Sequence, residues 1–491
     1  GYKTLLIEKG DFAGATSSAS TKLIHGGVRY LEKAVKEFDP GQLSLVFEAL
    51  HERSTMLKLA PHLTEIQPII IPCYSLLELA YFKAGTFFYD KLAPSNSDFP
   101  ESRILNKEQV LTLVPELQAE NLVGGLLYVD GQFDDAAYNV SLIRSAEAFG
   151  AETMNYVTCI DFQKDDHGNI HSIQVQDEIS QQVTQFETRY TINCTGPFSD
   201  SLRKKAKSNV SDRLRPSQGI HLVFEQDLLG GTTGFLIPKT EDGRLIFALP
   251  WYESVIIGTT EREVHQEEDF QRVMDEDVHY ILENLRRYLA KPVHESDIKN
   301  VLAGVRPLVA AERSNTAELI RNHEVEVFEN ERFMSVLGGK WTTYRKMAED
   351  AVNELGNQLG IKRGCLTAET PLFNAISYSE YESLIQGFKL SHQQKKYLFR
   401  YGNQIVNVLS FCTSNKPESV HPNYPFIWEE VDYALRFQQA IFPDDILARR
   451  MRVRFVNQDL AKQMLPRVVE RIALYHHLTE NAKNKLLKDY R

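Results

Sequence analysis

Tyr2-Lys3-Thr4-Leu5-Leu6-Ile7-Glu8 runs directly into Lys9-Gly10-Asp11-Phe12-Ala13-Gly14-Ala15-Thr16-Ser17-Ser18-Ala19-Ser20-Thr21-Lys22. The first seven residues form a short apolar run ending in an acid, the pattern of a buried strand. The strand is entered with no preceding helix or signal sequence, so the chain is expected to be a fragment of a longer one. In parallel α/β folds that bind a dinucleotide, a carboxylate at such a strand end accepts from the ribose hydroxyls. That acid lies about 20 residues after a G-x-G-x-x-G turn. Here only seven residues precede Glu8, and the turn is not among them. Taken alone, an acid at a strand end is usually an ordinary solvated one.

The segment after the strand adds weight. Residues 15–30 bring hydroxyls, two cations, His25 and the pair Gly26-Gly27 into one stretch. Hydroxyls and open backbone N–H groups suit a phosphate-bearing ligand, and paired glycines let backbone approach a planar ring. Farther out, a helix is expected over 43–59, closed by Pro61, and residues 67–90 are unusually apolar. A short helix is expected at 106–113 and a strand at 122–129. Asp134 or Asp135 is placed to cap a helix reaching Ala148. From about 153 to 260 the chain is mostly β, with strands at 153–162, 171–176, 185–193, 220–224, 244–249 and 254–259. A helix at 275–290 precedes strands near 299–306, 324–328 and 333–337. Helical patterns then fill the tail, near 391–410, 428–440, 457–475 and 479–488, beyond a linker at 360–378.

Two further turns suit a ligand. Tyr190-Thr191-Ile192-Asn193-Cys194-Thr195-Gly196-Pro197 is a strand ending in small residues. Phe333-Met334-Ser335-Val336-Leu337-Gly338-Gly339-Lys340-Trp341-Thr342-Thr343-Tyr344-Arg345 is a strand, a Gly-Gly turn and a helix start, whose open N–H groups and positive dipole end attract negative charge. A reduced flavin carries such charge. Arg29, Arg306, Arg321 and Lys340 are scattered cations that suit phosphate where they converge, although each alone is more often a surface ion pair.

Composition bounds the function. The chain has 491 residues, with 66 acidic and 55 basic side chains and a net charge of −11. This balance argues against nucleic acid as the main partner. Hydrophobic residues make up 43% and charged residues 25%, a folded profile. The five cysteines are scattered, with no C-x-x-C pair and no Cys/His cluster for a metal, which fits a reducing compartment. No uninterrupted apolar run approaches the roughly 18 residues of a membrane span.

Four ordered motifs resemble those of the FAD-dependent, quinone-linked glycerol-3-phosphate dehydrogenase family: Ser20–Leu31, Asp130–Ala136, Gly304–Leu308 and Gly338–Arg345. The stretch from Ile237-Pro238-Lys239-Thr240 to Gly258-Thr259-Thr260 and the helical tail are similar too. The resemblance implies an α/β (α+β) fold with three parts. These are an FAD-binding Rossmann-like domain of the amino-acid-oxidase type (1–66, 123–215 and 299–360), a β-rich substrate and membrane-facing domain (67–122 and 216–298), and a C-terminal helical cap (366–491). It implies oxidation of sn-glycerol 3-phosphate to dihydroxyacetone phosphate, with electrons passing through FAD to ubiquinone or menaquinone. It also implies a peripheral place on a bacterial inner membrane or, in a eukaryote, the mitochondrial one; some members are dimers. An oxidase that hands electrons to oxygen is the alternative, as is an inert fragment that binds no FAD because the Gly-rich turn is missing.

Residue by residue, the resemblance places Glu8 on the ribose. It places Ser17, Ser18, Thr21, Lys22, Leu23, Thr195, Gly196, Gly338, Gly339, Thr342 and Thr343 around FAD. Arg29, Tyr30, Thr259, Arg321 and His221 fall on the substrate side, with His25, Arg306 and Lys340 as catalytic candidates. His25 is preferred over His221 as the base, because its motif belongs beside the flavin; histidine titrates near neutral pH. Gln218 stands where relatives often carry lysine. No calcium-binding loop pattern follows the tail, and no metal is expected. The aromatic stretch 67–92, interrupted by Glu78, Lys83 and Asp90, suits a membrane boundary, with burial in the core as the competing reading.

Overall fold

The computed structural model describes residues 2–27, 40–94, 99–240, 242–310, 323–361 and 363–490. Its centre is a ten-stranded mixed sheet. The long strands Leu214–Glu225 and Asn300–Val309 pair antiparallel, from Leu214 opposite Val309 to Val223 opposite Asn300. Leu214–Glu225 pairs on its other side with Ser254–Gly258. Ile246–Trp251 and Gly234–Ile237 follow, then Thr64–Cys73, which pairs with Gly124–Phe133 along the full length of both. Side chains alternate across a strand, and Leu214–Glu225 uses both faces. Ile220, Leu222 and Phe224 pack with Val278, Ile281, Leu282 and Leu285 of the helix Asp275–Arg286, while Val223 joins the core of the helical domain. Gly219 and His221 share the face of Val223.

The parallel elements are shorter. Leu5–Glu8 pairs with Glu152–Asn155, and Thr191–Asn193 with Phe333–Gly338, in two separate sheets. Leu5–Glu8 has one neighbouring strand and is half-buried, so the fully buried strand expected from its composition is not formed. Val157–Lys164, Ile170–Asp177 and Val183–Glu187 make an antiparallel sheet of their own. Asp134 caps the helix Asp135–Ala148, accepting from the Ala137 N–H.

Several expected elements are cut by local geometry. The strand expected at 153–162 breaks at Tyr156, whose φ is 56°. The helix expected at 391–410 is interrupted at Gly402. Gly402 has a φ of 55°, and a Cβ there would collide with the Asn374 carbonyl. Gly124–Phe133 and Asn300–Val309 are strands of the large sheet. Their ladder partners Thr64–Cys73 and Leu214–Glu225 draw them there, and strand composition does not encode which partner a strand takes.

Candidate active site

The loop from Asp11 to Leu23 is built on buried charge. Lys22 is fully buried in a left-handed backbone conformation with φ 63°. Its ammonium donates to Asp135 Oδ2 at 2.5 Å and to the Ser18 carbonyl at 2.7 Å. Burial pulls this ammonium down to about 8 against the attraction of Asp135. The Lys22 side chain is therefore committed inward, to Asp135 and the Ser18 carbonyl. Leu23 is likewise a core side chain, packed with Ile69, Ile71 and Leu126. Asp135 also accepts from the backbone and hydroxyl of Ser20, at 3.1 and 2.7 Å.

The second group lies on the Gly219–His221 face of the large sheet. Arg306 donates to Thr259 Oγ1 at 2.9 Å and to the Thr260 carbonyl at 3.3 Å. These groups meet over Gly219, where a Cβ would lie 2.5 Å from Thr259 Oγ1 and 2.6 Å from Arg306 Nη2. Glycine is thus required for this crossing. His221 is buried two residues along on the same face, its Nε2 2.9 Å from Thr21 Oγ1. Its Nδ1 is buried with no hydrogen-bond partner. Burial lowers the imidazole to about 3, and the cations Arg306 and Lys22 add to the effect. His221 is therefore held neutral.

The third group is the Gly-Gly turn. Gly338 and Gly339 have φ of 72° and 88° and lead into a short 3-10 turn, Trp341–Thr343, and then the helix Tyr344–Leu359. Neither helix start has a side-chain cap. Trp341 Nε1 donates to the Ser17 carbonyl at 3.0 Å, and the His25 N–H to Thr342 Oγ1 at 3.3 Å. Thr342 and Thr343 are buried, and Lys340 is half-buried. The Gly26 N–H donates to Tyr89 Oη at 2.7 Å, and Tyr89 in turn donates to Asp130. His25 is thus tied to the helix start, while Thr21 faces His221, so one loop carries residues of both groups.

Other predicted positions lie apart. Glu8 accepts from the Gly10 N–H at 3.0 Å, and burial raises its carboxyl against that bond. Thr195 Oγ1 donates to Asn193 Oδ1 at 2.7 Å, and Gly196 adopts φ 57°. Ser17 and Ser18 are half-buried and use their carbonyls within the loop. Arg29, Tyr30 and Arg321 lie outside the described residues. Gln218 is buried and donates to the carbonyls of Asp269, Phe270 and Arg272, at 3.0, 3.0 and 3.1 Å, so it secures a neighbouring turn. Sequence reasoning missed Asp135, whose only signal was its place in the Asp130–Ala136 motif.

The apolar stretch divides between core and surface. Thr64–Cys73 is a core strand, with Ile69, Ile70 and Ile71 fully buried. The helix Leu76–Leu92 turns Leu76, Leu77, Ala80, Tyr81, Ala84, Phe87 and Phe88 outward. Its inner face carries Thr86 and Tyr89, and Lys83 reaches back to the Ser102 carbonyl. Among the described residues, no helix is long and apolar enough to cross a membrane.

Paired glycines of positive φ, an uncapped helix start and a buried imidazole nitrogen without a partner fit the ring end of a flavin, whose reduced form is negatively charged. Fold and site together define a flavin-dependent oxidoreductase. A family model described as FAD dependent oxidoreductase matches residues 1–345, and one described as the C-terminal domain of alpha-glycerophosphate oxidase matches 365–483. The chain is 35% identical to the "Probable glycerol-3-phosphate dehydrogenase, mitochondrial" of Dictyostelium discoideum, covering 100% of this chain and 80% of that one. It is 36% identical to the mitochondrial glycerol-3-phosphate dehydrogenase of Homo sapiens, covering 96% of this chain and 67% of that one. The chain belongs to the FAD-dependent glycerol-3-phosphate dehydrogenase family. The solved glycerol-3-phosphate dehydrogenase of Bacillus halodurans, complexed with FAD, superposes with a TM-score of 0.78 at 26% identity, over 100% of this chain and 89% of that one. The L-alpha-glycerophosphate oxidase of Mycoplasma pneumoniae shares the fold, with a TM-score of 0.55 at 17% identity over 75% of this chain and 92% of that one.

Proposed function

We propose that this protein oxidises sn-glycerol 3-phosphate to dihydroxyacetone phosphate and passes the electrons to a membrane quinone. The observation that carries the reading is the crossing of Arg306 and Thr259 over Gly219, with His221 two residues along the same sheet face. The Ser17–Thr21 loop and the Gly338–Thr343 turn would hold FAD, which when bound would supply the hydride acceptor. Arg306 offers a charged fork to the substrate phosphate or to the developing alkoxide. Thr259 fixes that fork. The neutral imidazole of His221 takes the hydroxyl proton on the nitrogen that Thr21 leaves open. Lys340, Arg29, Tyr30 and Arg321 are assigned to the same substrate side on the family motifs. His25 is the second reading for the base, favoured by its tie to the helix start through Thr342. Arg306→Ala should lower kcat/KM roughly ten- to a hundredfold, the value of a charged hydrogen bond of about 1.5–3 kcal/mol, with flavin content unchanged. Unchanged kinetics would remove Arg306 from the site. His25→Gln and His221→Gln, compared across pH, identify the base by which variant flattens the acidic limb.

The outward apolar face of Leu76–Leu92 supports docking to a lipid surface, where a quinone is met. The relatives named mitochondrial support a mitochondrial membrane as that surface. An anaerobic assay with a quinone analogue, set against an aerobic peroxide assay, separates dehydrogenase from oxidase. Turnover only with oxygen would overturn the quinone.

A further inference from the structure

Asp135 stands where the loop, the large sheet and the helical domain meet. Besides Lys22 and Ser20, its fully buried carboxylate accepts from Arg452 Nη2 at 3.1 Å. Arg452 comes from the helical domain, is buried, and has φ 67°. It also donates to the Ser18 carbonyl at 3.3 Å and to the Ala448 carbonyl at 3.2 Å, and its guanidinium lies 4.9 Å from the Phe455 ring and 5.2 Å from the Trp251 ring. The Ser18 carbonyl thus takes hydrogen bonds from Lys22 and from Arg452. The Lys22 N–H closes the turn on Ser20 Oγ at 3.1 Å. Between those anchors is Thr21, the hydrogen-bond partner of His221. A left-handed lysine persists only where its surroundings over-determine it, and this network does so.

Arg452 makes one of several ion pairs that join the helical domain to the rest of the chain. Arg400 already pairs with Asp134 at 2.9 Å, and Arg450 holds both carboxylate oxygens of Asp11 at 2.7 Å. We propose that Arg452 is a positioning residue for the reaction: through Asp135 and the Ser18 carbonyl it fixes the Ser18–Lys22 turn, and Thr21 on that turn holds His221 in one ring orientation. The inference rests on the reading of His221 as proton acceptor. The charged groups acting on His221 are Arg306 from the sheet and Lys22 from the loop, and Arg452 is bound to the same carboxylate as Lys22.

The test uses the flavin-loaded enzyme with Arg452→Met and Arg452→Lys. Arg452→Met should lower kcat roughly ten- to a hundredfold, the cost of a small misplacement of a reacting group, with KM for glycerol 3-phosphate within about twofold. With the turn loosened and the Asp135 carboxylate beside Lys22 less neutralised, the acidic limb of the kcat profile should move to higher pH. Arg452→Lys, which keeps the charge and one donor, should restore most of both. Amide hydrogen exchange at residues 17–23 should quicken in Arg452→Met with or without flavin. An unchanged pH profile together with unchanged exchange at those residues would overturn the proposal. Should Arg452→Met not fold, Ser20→Ala removes one donor to Asp135 from the same turn, and an unaltered profile there overturns it equally. If the turn loosens but His221→Gln leaves the profile intact, the base reading falls, and the catalytic role of Arg452 with it.

Discussion

The helices Leu76–Leu92 and Gln458–His476 have 17 and 19 residues and present opposite faces to their surroundings. The second is amphipathic in the usual sense. Leu460, Ala461, Met464, Val468, Val469 and Ile472 point inward, while Asp459, Lys462 and Glu470 are exposed. The first is inverted: Leu76 is 71% exposed, Leu77 84%, and Phe87 and Phe88 each 50%, while Thr86 and Tyr89 are buried. Apolar surface gathered on one face marks a contact with something other than water. The inverted helix is nevertheless firmly seated, because its inner face is polar and partnered. The Ser102 N–H donates to Asp90 and its hydroxyl to Thr86, and Tyr89 bridges Gly26 and Asp130. One helix gains its stability from apolar burial; the other adds hydrogen bonds to the packing of Phe82, Tyr89 and Leu92 and keeps its remaining apolar side for a partner.

The contrast breaks first at the helical domain. Arg450→Met leaves Asp11 buried with part of its pairing lost, and should cost about 3–5 kcal/mol of stability, read by denaturant unfolding. A loss below about 1 kcal/mol would mean that Arg449 alone suffices. Next comes pH. Glu430 is buried in that domain, accepting from Tyr401 and from the Ile427 N–H, and burial pushes its carboxyl up to about 7. The folded state therefore holds this proton more tightly than the unfolded one. Stability from this group is greatest below the unfolded value near 4.5 and falls by about 3 kcal/mol as pH rises to about 7. Glu430→Gln should flatten that window, and an unchanged slope would place the pH sensitivity elsewhere. The smallest effect belongs to the inverted helix. Phe87→Ser with Phe88→Ser should leave the unfolding midpoint nearly unmoved, since both rings are half-exposed. Co-flotation with liposomes should nonetheless fall by about 2 kcal/mol of partitioning, roughly thirtyfold. Binding should survive moderate salt, because screening weakens charge attraction and not burial. Full flotation of the double variant would assign docking to another surface.

Much of this architecture was legible in the residues. The helix cap at Asp134, the strand before Gly338 and the tail helices follow from local pattern, which short-range physics decides. The ends of the inverted helix were harder to read, since an apolar stretch carries the same composition whether it faces core or lipid. The inward turn of Lys22 was not legible, because its partner Asp135 lies 113 positions away in the chain. The Arg306–Thr259 crossing over Gly219 was invisible, because three segments distant in sequence create it and the signal is a missing Cβ. Arg452 gave no sign at all, since Asp135 and Ser18 lie more than 300 positions away in the chain.

Trp341 binds the carbonyl of Ser17 and sits at the start of the helix that follows the glycine pair. Its indole therefore joins the Ser17 loop to the start of that helix, the two segments proposed to hold the flavin. Tryptophan emits in the near ultraviolet, where oxidised flavin absorbs, so light emitted there is captured when the cofactor is in place and escapes when it is not. The protein carries its own optical gauge of occupancy, and with Trp251 and Trp428 replaced by phenylalanine, Trp341 would read it alone.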